Sequence, residues 1–161
     1  MTKHRPTAFA ALLGTLLMTV FQGCASSKPA TSTSSVPSGW PVDRSLVVVT
    51  REFGSPRGGS RHQGIDLAAP AGTAVHATAD GRVVVAGREK RYGRMVLVDH
   101  GGGTLTRYAH LKQIDVARGD RVRRGDGIGR VGASGNASGP HLHYEVIRSG
   151  VPVNPRGYLG G

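Results

Sequence analysis

The chain is short of cysteine, of acidic side chains and of long apolar runs. Cys24 is its only cysteine, so no disulfide partner exists within the chain and no cysteine-built metal cage can form. Ten acidic residues stand against 21 lysines and arginines. Setting aside Lys3 and Arg5, which open the chain, the remainder stays basic by about nine charges. The basic residues are scattered, with no lysine block, no alternation with aromatics and no recognition-helix or RNA-binding motif, so nucleic acid is not an expected partner. Such charge suits a solvated surface or attraction to an anionic polymer or membrane. The one apolar run, residues 8–21, falls short of the roughly 20 residues a membrane span needs. Twenty-five glycines argue against long helices, and there is no internal repeat.

The amino terminus has the layout of an export signal. Lys3, His4 and Arg5 precede the apolar run, which is the order of a basic segment and an apolar segment in a secretory leader. Cys24 follows directly and is preceded by Gly23. The stretch resembles a lipoprotein signal, with Phe21 and Gln22 where that pattern carries leucine and a small residue. The expected division is a signal peptide at 1–23, a lipidated Cys24 with a Ser/Thr/Pro-rich tether at 24–39, and a globular domain at 40–161. Tether composition of this kind cannot bury a core. A lipid anchor at Cys24 implies a membrane partner. Ala25 after it resembles the pattern that permits sorting to the outer membrane of a Gram-negative cell, facing the periplasm.

From Trp40 onward short apolar runs alternate with glycine turns. Residues 46–50, 74–78, 82–86, 94–99, 104–109, 126–131 and 141–147 read as strands. Asp80-Gly81 is a turn signal between the second and third. Residues 111–117 are the only helix candidate. The expected fold is all-β, a compact antiparallel sandwich or barrel-like domain with Gly-rich loops and little helix.

His141 and His143 lie two apart on one expected strand, so their imidazoles share a face. His62 and Asp66, four apart, offer a nitrogen and a carboxylate. A catalytic zinc takes three such ligands and keeps a fourth position for water. His62, Asp66 and either His141 or His143 satisfy that requirement. Glu145 shares the strand parity of the two histidines and is a candidate for fixing an imidazole tautomer. Tyr108 and Asn136 are candidates for a substrate groove. His76 and His100 fit no site role.

The boxes around these residues resemble one family. His62-Gln63-Gly64-Ile65-Asp66-Leu67, Tyr92-Gly93-Arg94, Arg107-Tyr108-Ala109-His110-Leu111, Gly139-Pro140-His141-Leu142-His143-Tyr144-Glu145 and Val153-Asn154-Pro155 are similar, in order, to the signatures of the lysostaphin/LytM-type zinc endopeptidases. The resemblance runs from about Trp40 to Leu159 and implies a duplicated hybrid motif fold. It implies one zinc ion per domain held by His62, Asp66 and His143, with His110 and His141 as catalytic histidines that do not bind the metal. It implies hydrolysis of peptide cross-links in peptidoglycan, with D-alanyl-diaminopimelate bonds expected. Two alternatives stand beside it: a non-catalytic regulator of the same fold that binds wall or activates an amidase, and a glycyl-glycine endopeptidase.

Overall fold

A computed structural model of the chain describes residues 35–160. The expected signal peptide, Cys24 and the expected tether up to residue 34 lie outside the described residues. Thirteen strands follow in order: β1 (Val48–Arg51), β2 (Pro56–Arg57), β3 (Ser60–Arg61), β4 (Ile65–Ala68), β5 (Ala74–His76), β6 (Gly81–Glu89), β7 (Gly93–Asp99), β8 (Thr104–Leu111), β9 (Gln113–Ile114), β10 (Arg121–Val122), β11 (Gly127–Arg130), β12 (His141–Arg148) and β13 (Val151–Val153). All pairings are antiparallel. One eight-stranded sheet runs β1-β4-β12-β8-β7-β6-β10, with β13 on β12. A three-stranded sheet runs β5-β11-β9, and β2-β3 form a ribbon. The all-β expectation holds.

Alternation divides β12 into two faces. Leu142, Tyr144 and Val146 are fully buried and join Ile65 and Leu67 of β4, Tyr108 of β8 and Ile128 of β11 in the core. The opposite face carries His141, His143 and Glu145. The hydroxyls of Tyr108 and Tyr144 both hydrogen-bond to the Thr78 hydroxyl, at 3.0 and 2.9 Å. This satisfies two phenols buried in an apolar layer, which left unpaired would cost about 1–3 kcal/mol each.

One local expectation fails. Residues 111–117 form no helix. The Lys112 and Asp115 amides donate to Arg130 and Ile128 on β11, at 2.9 and 3.1 Å, so the sheet takes the bonds a helix would need. Ile114 and Val116, both β-branched, suit that choice. Among the described residues the helical pieces are two 3-10 turns, Arg44–Leu46 and Pro155–Tyr158. The expected turn at Asp80-Gly81 is present as a bend at residues 78–80, and it joins strands of different sheets rather than closing a hairpin. Gly81 allows close packing: a Cβ there would lie 2.5 Å from the Asp99 carbonyl oxygen and 2.8 Å from His100 Nδ1.

Ser35, Ser38 and Gly39, which the sequence places at the end of the tether, are bonded to the domain. Their amides donate to the carbonyls of His100, Thr78 and Tyr158 at 2.9–3.0 Å. His100 lies beyond the end of β7 remote from Tyr92. It is buried, its Nδ1 donates to the Asp80 carbonyl and its Nε2 pairs with the Thr106 hydroxyl. Burial lowers its pKa despite the bond to Asp80. The unfolded chain therefore takes up a proton near pH 6.5 that the folded chain refuses. This contribution to stability is complete above pH 6.5 and is lost as the pH falls below it. Melting curves between pH 7.5 and 5.5 should show a shallower loss of stability for His100→Gln than for the wild type.

Candidate metal centre

Three side chains from two neighbouring strands and one loop converge on a point. Asp66 stands in the middle of β4, directly opposite His143 of β12 in the antiparallel register. Directly opposed side chains start about 5 Å apart at Cβ. His62 follows the β2-β3 ribbon, where its backbone is pinned to Ser55 and Gly54 by two bonds of 2.9 Å. All three side chains are buried. His62 Nε2 lies 3.0 Å from Asp66 Oδ1 and 3.0 Å from His143 Nδ1, and His143 Nδ1 lies 2.8 Å from Asp66 Oδ1.

The hydrogen bonds fix which nitrogens face inward. His62 Nδ1 is 3.1 Å from the Glu52 carbonyl, which can only accept, so Nδ1 carries the proton. His143 Nε2 is 2.8 Å from Glu145 Oε1 and donates to it. The inward atoms are therefore two imidazole lone pairs and a carboxylate oxygen, three acceptors with no donor among them. Around a tetrahedral ion with bonds of 2.0–2.1 Å, ligand atoms sit about 3.3 Å apart. The observed triangle fits a zinc ion after a small expansion. Burial opposes the charge on Asp66, but the neighbouring His143 and His62 hold its carboxyl far below the usual range. Burial likewise works against a proton on His143, and the carboxylates of Asp66 and Glu145 outweigh it and raise its pKa. The point they enclose favours a cation.

Gly64 permits this packing. A Cβ there would lie 2.4 Å from the Tyr144 carbonyl oxygen, 2.8 Å from Glu145 Cγ and 3.0 Å from His143 Cε1. Gly64→Ala should cost about 1–3 kcal/mol of stability and weaken zinc binding at least about tenfold by displacing His143. Urea melts and a zinc titration check both.

Two further imidazoles border the cluster. The His110 ring centroid is 4.7 Å from that of His141 and 5.9 Å from that of His143. His110 reaches this side through a backbone irregularity. By simple alternation it would share the core face of Tyr108. Between Arg94/Val96 of β7 and Leu111/Tyr108 of β8 the register shifts by one residue, and His110 has φ +62°. A bulge with one left-handed residue redirects the side chain. Its backbone is secured on both sides, with its amide donating to Tyr92 at 2.8 Å and its carbonyl accepting from Ser134 at 3.3 Å. His110 Nδ1 donates to the Ser134 carbonyl and His141 Nδ1 to the Gly139 carbonyl, at 2.8 and 2.9 Å. Nε2 of each ring is left with its lone pair. Burial, with the neighbouring His141 and His143, lowers His110 to about 4 against its bond to the Ser134 carbonyl.

Clefts flank the cluster on two sides. One is lined by His62, His143 and Glu145 together with Arg61, Gln63, Arg91, Tyr92 and His110. The other is lined by Asp66 and His141 with Thr50, Arg51, Asn136 and Ser138. Asn136 thus borders a groove, and Glu145 contacts His143. Tyr108 does not line a groove, because its parity on β8 places it in the core. His76 lies apart, bonded to the Gly125 carbonyl. Sequence reasoning gave no role to Arg107, Tyr92 or the carbonyls of Glu52 and Ser134. The backbone partners leave no side-chain signal, and Arg107 is revealed only by its register opposite Glu145.

Residues 60–155 match the model of a family described as Peptidase family M23. Over 94 residues the chain is 51% identical to DD-carboxypeptidase/endopeptidase Mpg of Neisseria meningitidis serogroup B, covering 58% of this chain and 22% of that protein. Over 121 residues it is 39% identical to murein hydrolase activator NlpD of Salmonella typhimurium, covering 74% and 30%. Among solved structures, a zinc-containing peptidase from Vibrio cholerae superposes with a TM-score of 0.69 at 34% identity, over 74% of this chain and 39% of that one. The chain thus spans less than a third of the length of these two curated relatives.

Proposed function

The chain belongs to peptidase family M23, and from that premise we propose that it is a zinc-dependent endopeptidase that hydrolyses peptide cross-links of bacterial peptidoglycan. The observation that carries the reading is the triangle of three acceptors, His62 Nε2, Asp66 Oδ1 and His143 Nδ1, at 2.8–3.0 Å. These residues would hold one zinc ion. Zinc in such a site supplies Lewis acidity that lowers the pKa of water and polarises a carbonyl. His110 and His141 present unprotonated Nε2 atoms beside it. One would accept the proton released from water and, once protonated at Nε2, pass it to the leaving amine; the other would hydrogen-bond the developing oxyanion only in the state in which its own Nε2 carries a proton. His62 and His143, each locked by its outer hydrogen bond, stay oriented throughout.

The substrate reading follows from the clefts. Arg51 stands in one, and Arg61 and Arg91 in the other. A cross-linked stem peptide carries carboxylates on both sides of the scissile bond, which suits arginines on both sides of the metal. A glycine bridge offers none. D-alanyl-diaminopimelate bonds are therefore the proposed target, in keeping with the name DD-carboxypeptidase/endopeptidase of the Neisseria relative. The presence of all five site residues favours an enzyme over a regulator.

The proposed layout is an export signal at 1–23, a lipid anchor at Cys24, a tether and a catalytic domain. Ser35 meets the domain beside His100, at the end of β7 away from Tyr92 and the metal centre. An anchored domain would act from the periplasmic side of an outer membrane. The test is to incubate the whole chain with diaminopimelate cross-linked muropeptide dimers and with pentaglycine-bridged ones, and to weigh the products. Scission of the D-alanyl-diaminopimelate bond supports the proposal. Scission of the glycine bridge alone supports the glycyl-glycine reading. Intact dimers, with stimulation of an added amidase, support the regulator.

A further inference from the structure

Behind His143 lies a charged layer of Glu145, Tyr92 and Arg107, of which Glu145 and Tyr92 also border the first cleft. Glu145 is fully buried, and each of its carboxylate oxygens is engaged. Oε1 accepts from His143 Nε2 and from the Tyr92 hydroxyl, both at 2.8 Å. Oε2 accepts from Arg107 Nη1 at 2.5 Å. Arg107 faces Glu145 directly across the β8-β12 register, and its guanidinium carbon lies 4.3 Å above the centre of the Tyr92 ring. The Tyr92 ring in turn lies 5.6 Å from that of His143. Burial together with Glu145 pushes the Tyr92 hydroxyl up to about 12, so it stays a donor.

We infer that Arg107 is a positioning residue for the metal centre, acting through Glu145 on the orientation of His143. The geometry works as a clamp. A carboxylate held at one oxygen alone can rotate about its Cγ–Cδ bond. Held at Oε2 by Arg107 and at Oε1 by Tyr92, it cannot. Its Oε1 is then fixed where only His143 Nε2–H can meet it, and the ring cannot turn to present the wrong nitrogen to Asp66 and His62. The guanidinium is fixed in the same way. Its Nε is buried without a hydrogen-bond partner, an arrangement that costs free energy. The contacts with Glu145 and the Tyr92 face are what hold it there. Outer groups that orient a ligating imidazole typically govern about 10–100-fold in metal affinity.

The inference rests on reading His143 as a zinc ligand, and metal affinity tests it independently of turnover. Zinc dissociation constants of the whole chain are measured by chelator competition, alongside the visible spectrum of the cobalt-substituted protein and the melting temperature of the metal-free form. Arg107→Met is expected to weaken zinc about 10–100-fold and to shift the cobalt bands, and, because it leaves buried Glu145 without its donor at Oε2, to lower the metal-free melt as well. Arg107→Lys, which restores a donor but not the planar fork, should recover part of the affinity. Tyr92→Phe keeps the ring under the guanidinium and removes one donor, so it should weaken zinc about tenfold. Arg82→Met, at the end of β6 remote from Tyr92 and exposed beside Gly119, serves as the surface control. Zinc affinity of both Arg107→Met and Tyr92→Phe within about twofold of the wild type overturns the inference. If Arg107→Met does not fold, Tyr92→Phe alone decides it: a tenfold loss upholds the clamp and an unchanged affinity overturns it. Loss of affinity that Arg107→Lys does not relieve, with the cobalt bands unshifted, also overturns it, since that pattern reports general destabilisation.

Discussion

His143→Ala is expected to abolish zinc binding and cleavage together. The substitution removes one of three inward lone pairs and leaves two ligands, His62 and Asp66, which cannot enclose the ion. The loss should exceed the roughly 10–100-fold that follows from disturbing an outer partner. It also leaves Glu145, fully buried, without the donor at Oε1 that His143 supplies. The metal-free protein should therefore lose about 1–3 kcal/mol as well. Metal content after gel filtration and a chemical melt of the metal-free form read the two effects separately. A His143→Ala protein that retains one zinc per chain contradicts the ligand assignment.

His141→Ala should behave in the opposite way, with zinc kept and turnover lost by about 10²–10⁴-fold. His141 sits on the same strand face as His143, yet its Nε2 is 3.8 Å from Asp66 Oδ1, farther than the two ligand nitrogens. It borders the cluster without belonging to the triangle. The same split is expected for His110→Ala, whose ring packs on that of His141. His110 also sets an expectation for pH. Its pKa, held near 4 mainly by burial, lies below the ordinary imidazole value. The ring is unprotonated throughout the range above that point and protonates only below it. If His110 accepts the proton, the acid limb of kcat/KM falls below pH 6.5 rather than at it. Zinc loss in either alanine variant would show that the two rings share in binding the metal.

Much of this site is visible in the sequence because β12 obeys simple alternation. His141, His143 and Glu145 fall on one face by parity alone, and Asp66 meets His143 because β4 pairs with β12 without a bulge. The core strands show for the same reason. His110 is different. Its parity assigns it to the core with Tyr108, and only a bulge and a left-handed backbone bring it to the metal. Strand periodicity carries no mark of such an irregularity. Tyr108 fails as a groove residue for the complementary reason, since it keeps the parity that His110 breaks. The stretch at 111–117 has spacing compatible with a short helix, and long-range pairing with β11 decides otherwise. Arg107 could not be found without the β8-β12 register. Nothing adjacent to it in sequence identifies Glu145, 38 residues on, as its partner.

The most direct test of the central claim is a zinc titration of cross-link cleavage. The whole chain is stripped with chelator, supplied with zinc in fractional steps and incubated with D-alanyl-diaminopimelate cross-linked dimers, with products identified by mass. The account predicts no cleavage without metal, activity that rises in proportion to bound zinc, and saturation at one zinc per chain, with each dimer yielding two monomers and gaining one water. Cleavage that persists in the stripped protein, or dimers that stay intact when one zinc is bound per chain, would contradict it.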